Sequence, residues 1–116
     1  MPECQTLGSA GKAVNFTYTG CVNQGVEIKY KNSTVNVSNE FFANILNHFR
    51  GVRVAGGFKV DDPTPNGFGE WVRDNSNQNS QALTPKHASR IAAILVCERF
   101  ATRELDGNTV YLNFNA

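Results

Sequence analysis

A chain of 116 residues fits one domain of ordinary size. With 41% hydrophobic, 10% aromatic and 18% charged residues it is globular, because disordered chains have few aromatics and high net charge. A net charge of +1 gives the whole chain little electrostatic pull on nucleic acid, and no apolar run approaches the roughly 20 residues of a membrane-spanning helix.

Residues 1–12 carry Gly, Ser and Ala without periodicity and read as a flexible leader, with a single domain over 13–116. Val14, Phe16 and Tyr18 alternate with Asn15, Thr17 and Thr19, the period of a half-buried strand. Residues 20–25 read as a loop. Val26, Ile28 and Tyr30 alternate with Glu27, Lys29 and Lys31 in a second strand. After the Asn32-Ser33 turn, Val35 and Val37 alternate with Thr34 and Asn36 in a third. Residues 13–37 thus read as an antiparallel meander with one apolar face.

Ser38 changes the period. It is a good helix N-cap, and Glu40 opposes the helix dipole in the first turn. Phe41, Phe42, Ile45, Leu46 and Phe49 then line one helical face over 39–50, which Gly51 closes. Residues 52–55 read as a short strand, and 59–66, with two Pro and two Asp, as a loop. Phe68, Trp71 and Val72 sit at helical spacing in 67–75. Thr84-Pro85 is a helix start, with Thr as N-cap and Pro in the first turn. The helix predicted over 85–100 buries Ala88, Ile91, Ala92, Leu95 and Val96, and turns Lys86, Ser89, Arg90 and Ala93 outward. Two strands follow, 102–105 and 108–114, around an Asp106-Gly107 turn. The expected core is Phe41, Phe42, Ile45, Leu46, Phe49, Trp71, Ile91, Ala92, Leu95, Val96, Val110 and Leu112.

From Ser38 to Phe114 the order is helix, strand, helix, helix, strand, Asp-Gly turn, strand. With the stretch from Thr84-Pro85-Lys86-His87-Ala88-Ser89-Arg90 through Leu105-Asp106-Gly107-Asn108-Thr109-Val110, this resembles the winged helix-turn-helix fold. The expected fold class is α+β: an N-terminal antiparallel meander (13–37), then a winged-helix-like three-helix core with a C-terminal β-hairpin (38–116). The resemblance implies a recognition helix at 85–100 and a wing at 102–114. The loop 55–66 and the turn 76–83 are longer than that family's usual connections, and the wing offers one base, Arg103, beside Glu104 and Asp106.

The DNA-binding set that follows is Lys86, Ser89 and Arg90 facing the groove, with Arg73 and Arg103 on phosphates. Lys86 and Arg90 stand at i and i+4 and share a side of the helix, and Arg90 has the fork that reads guanine. The bland reading of the same residues is a solvated helix face. Arg50, Arg53 and Lys59 form a second, mild basic cluster, which reads first as a guarded sheet edge.

Catalysis finds less support. Asp61, Asp62, Glu70 and Asp74, with Lys59 or Lys86, lack the spacing of a metal nuclease. His48 and His87 have no nucleophile motif beside them, and the Gly56-Gly57 and Gly67-Phe68-Gly69 pairs are turns, not phosphate loops. Trp71 reads as a core anchor between the second and third helices.

The cysteines, Cys4, Cys21 and Cys97, are odd in number, and no metal-ligand spacing links them. Cys97, in an apolar helix, reads as a small buried hydrophobe. A Cys4–Cys21 pair is the lesser reading, since a reducing cytosol would prevent it. The start of the chain has no basic segment followed by an apolar one, so a cytoplasmic location is expected. Three Asn-X-Ser/Thr matches, at Asn15, Asn32 and Asn36, carry little weight in an Asn-rich chain.

The expected function is therefore that of a small regulatory DNA-binding protein on double-stranded DNA. No enzyme activity, metal, cofactor or membrane is expected, and a dimer is plausible because near-neutral charge limits the affinity of one copy. The alternative is a non-enzymatic protein–protein interaction module, a bacterial or phage accessory protein on the same scaffold, offering a sheet edge for strand addition.

Overall fold

Residues 3–5, 15–29, 34–56, 67–76, 83, 85–106 and 109–115 are described by a computed structural model of the chain. They form an α+β fold, as the sequence predicts. The strands and helices follow in the order β1 (Glu3–Gln5), β2 (Asn15–Cys21), β3 (Gly25–Lys29), β4 (Thr34–Val37), α1 (Asn39–Phe49), β5 (Arg53–Ala55), α2 (Phe68–Asp74), α3 (Pro85–Cys97), β6 (Ala101–Asp106) and β7 (Thr109–Phe114).

The period-two pattern becomes a four-stranded antiparallel sheet in the order β1-β2-β3-β4. Its inward positions, Phe16, Tyr18, Val26, Ile28, Val35 and Val37, are all buried. The first strand is a correction to the leader reading. Residues 3–5 pair with β2, Cys4 opposite Phe16, although three residues show no readable alternation of their own. β2 and β3 also run into the segment read as a loop, leaving only 22–24 as the turn. Gln24 N–H donates to the Cys21 carbonyl at 3.0 Å across it. The tight return needs Gly20, whose φ is +91° and where a Cβ would collide with the Gly25 carbonyl oxygen.

Ser38 caps α1 as its residue type predicts: its Oγ accepts from the Phe41 N–H at 3.1 Å. Phe41, Phe42 and Ile45 have no exposure. Each is worth about 2–3 kcal/mol of apolar transfer. β5, the strand between α1 and α2, pairs with the last strand, giving a second antiparallel sheet in the order β5-β7-β6. The Asp106↔Thr109 pair closes the β6–β7 hairpin.

α3 departs most from expectation. Ile91, Ala92, Ala93, Ile94 and Leu95 all have 0% exposure. Five successive residues cover more than a full turn, so the helix is enclosed on every side at mid-length. Ala93, read as outward-facing, is buried: α3 packs against α2, β1 and β6, and Arg90, three residues earlier, lies over Phe16 of the first sheet.

α3 also stops at Cys97 rather than 100. Arg99 takes a left-handed conformation with φ 67°, Phe100 N–H reaches back to the Leu95 carbonyl at 2.8 Å, and Arg99 N–H to that of Val96 at 3.0 Å. These are the bonds of a Schellman stop. Asn115 locks it from β7's end, its Nδ2 donating to the Arg99 carbonyl at 2.7 Å.

Two further expectations are corrected. Cys97 is exposed and disulfide-bonded rather than a buried hydrophobe, whereas Cys21 is free, so the Cys4–Cys21 pair, the lesser reading, is not formed. Trp71 is half-buried and packs on α1, with ring centroids 5.8 Å from Phe41 and 5.4 Å from Phe49. Leu46 and Val96 likewise sit at the margin of the core. Thr84, the loop 57–66, the turn 77–82 and the hairpin tip 107–108 lie outside the described residues. Among the described residues no helix is long and apolar enough to cross a membrane.

Candidate functional site

The expected groove-reading face of α3 points at the molecule's own first sheet. Arg90, half-buried, lays its guanidinium toward the Phe16 ring of β2, 5.9 Å from the centroid, and its Nε is buried. Ser89 and His87 are half-buried. Lys86 lies in the first turn of α3, and its side chain is outside the described residues. Arg73 and Arg103 are exposed, on α2 and β6. Arg73 Nε donates to Asp74 Oδ1 at 3.0 Å, an exposed contact of small energetic weight that sets a negative charge beside the guanidinium.

What fixes the sheet over α3 is a carboxylate that the sequence reading passed over. Glu98, just beyond the end of α3, accepts the Tyr18 hydroxyl on Oε2 at 2.8 Å and the Val22 N–H on Oε1 at 3.0 Å. Both donors are on residues only 2% exposed. The latch joins positions 80 residues apart, so no local pattern announces it. The one available signal was an acid directly after an apolar helix, where a base would suit the dipole better.

Burial is the main reason the Tyr18 phenol holds its proton well above the usual tyrosine range. The hydrogen bond to Glu98 adds to this, as do the negative charges of Glu98 and Cys21. In the unfolded chain the phenol ionises near pH 10. Above that pH the unfolded state binds fewer protons than the folded one, so stability falls as pH rises. Wild-type protein is expected to keep this stability up to about pH 10 and to lose it progressively as pH rises further. Tyr18→Phe should remove that part of the slope in urea denaturation at a series of alkaline pH values.

The second basic cluster is occupied differently. Arg53 pairs with Glu104 across β7, Nη2 to Oε2 at 2.6 Å, and stacks over the Tyr111 ring at 3.8 Å. Asn113 Nδ2 donates to the other Glu104 oxygen at 3.0 Å. The bonds from Arg53 and Asn113 hold the Glu104 carboxyl below its ordinary range. Arg53 thus serves its own sheet, Arg50 is exposed, and Lys59 lies outside the described residues.

Asp61 and Asp62 also lie outside the described residues, while Glu70 is half-buried and Asp74 exposed on α2. Among the described residues no group of three or more His, Cys, Asp or Glu is placed to hold a metal. His48 is exposed and stacks on Trp71, centroids 5.2 Å apart at 29°.

One open cleft of about 450 Å³ is lined by residues of β2, β3 and β4 of the first sheet and by the start of α1. Its polar lining comes from Thr19, Gln24, Glu27, Asn36, Ser38 and Asn39. Thr19, Glu27 and Asn36 are cross-strand neighbours in the sheet register. Lys29 forms an ion pair with Glu27. The chain matches no known protein-family model, and neither curated proteins nor solved structures yield a match.

Proposed function

We propose that this chain is a non-enzymatic protein-interaction module on a winged-helix-type scaffold. The scaffold reading is supported by the order α1-β5-α2-α3-β6-β7 and by the sheet order β5-β7-β6, in which the strand between the first two helices pairs with the returning strand of the hairpin. The observation that carries the choice of partner is the enclosure of α3. A helix that reads a major groove offers its N-terminal half to base edges. Here Arg90 lies against Phe16, and Ala93, on the same side, has no exposure. The other edge of the first sheet, away from β1, favours a protein. Among the described residues β4 is an edge strand with Thr34 and Asn36 exposed, and the polar cleft runs from it across β3 to β2. An extended partner segment pairs with such an edge through its backbone.

DNA remains the competing reading, favoured by the exposure of Arg73 and Arg103. The two are separated by mixing the protein with a random duplex at low salt. No shift of the duplex is expected, and immobilised protein should retain one stoichiometric partner through a high-salt wash. A shift that weakens linearly with log salt and disappears in the double variant Arg73→Ala, Arg103→Ala would instead favour DNA.

A further inference from the structure

The end of α3 carries two different ties. Glu98 holds β2 by hydrogen bonds, and the residue before it, Cys97, is exposed and disulfide-bonded. Cys21, on β2 beside Val22, is a free thiol. We propose that the Cys97 disulfide is a reducible tie open to solvent, so that the stability of this fold follows the thiol redox state of its surroundings.

The chemistry needs only an external thiol, such as glutathione or a small dithiol. Its thiolate attacks one sulfur of the Cys97 disulfide, the sulfur–sulfur bond breaks, and a mixed disulfide forms. The departing sulfur leaves as a thiolate and takes a proton from water. A second thiolate resolves the mixed disulfide, so two reductant thiols end as one disulfide and the protein gains two electrons. Access governs the rate of this exchange, and Cys97 has access. A cytosolic thiol pool keeps such bonds reduced, whereas an oxidising compartment lets them persist. The tie therefore points to oxidising surroundings, against the cytoplasmic location expected from the start of the chain.

Alkylating the unfolded, unreduced protein should label Cys21 and leave Cys97 blocked. Reductant should lower the Tm of the wild-type protein by roughly 10 °C. It should leave Cys97→Ser, already at that lower value, unmoved, while Cys21→Ser keeps the full drop. Alkylation of Cys97 without reductant, or a wild-type Tm indifferent to reductant, overturns the proposal. If Cys97→Ser does not fold, hydrogen exchange on the wild-type protein decides. Reductant should speed exchange at residues 97–100 and at the Val22 amide, and unchanged rates there overturn the proposal equally.

Discussion

Ala93→Arg is expected to unfold the protein, at a cost of at least about 4 kcal/mol. Ala93 has no exposure, it lies among five successive fully buried residues, and α3 packs against α2, β1 and β6. An arginine there must either bury a charge without a partner or push the first sheet off the helix. Overpacking alone costs about 1–3 kcal/mol, and the buried charge adds more. The substitution also separates the two readings of α3. On an open recognition helix, an added arginine beside Arg90 would be tolerated and would strengthen binding to duplex DNA. Thermal denaturation followed by circular dichroism distinguishes them, since a folded Ala93→Arg protein with the wild-type Tm would mean that this side of α3 is free.

The second large effect is at Glu98. Glu98→Ala leaves the Tyr18 hydroxyl and the Val22 N–H without their acceptor, both on residues 2% exposed. An orphaned buried donor costs about 1–3 kcal/mol, so a total loss of about 2–4 kcal/mol is expected. Glu98→Gln should cost less than half as much. Its amide oxygen still accepts from Val22, and its NH2 can donate to the tyrosine oxygen. Urea denaturation of the three proteins at neutral pH measures the difference. Equal losses for Ala and Gln would mean that the negative charge, and not the bonds, holds β2 in place.

Local signals carried most of the fold. Thr34–Val37 and the start of α1 at Asn39 are read correctly because alternation and a Ser cap are written within a few residues. The Asp-Gly hairpin is legible for the same reason. The misreadings all have a tertiary cause. Arg99 does what glycine usually does at a helix end, and it is held there by Asn115 from the far strand. β1 is too short to show a period and exists by pairing with β2. Ala93 is small and ambivalent, so its burial depends on the elements packed around α3 and not on its own residue type. Of the site, the residue types of Arg90 and Arg53 were legible but not their partners. Phe16 and Glu104 absorb them through contacts whose sequence separation hides them from any periodic pattern.

The Tyr18–Glu98 pair also bears on how the chain is made. The first sheet leaves the ribosome with Phe16, Tyr18, Ile28 and Val37 uncovered, and its latch partner follows 80 residues later. At about 5–20 residues per second, translation leaves that apolar surface waiting roughly 4–16 s. During those seconds the nascent hairpins are a natural client for a chaperone, and a rare-codon pause before α3 would lengthen their exposure.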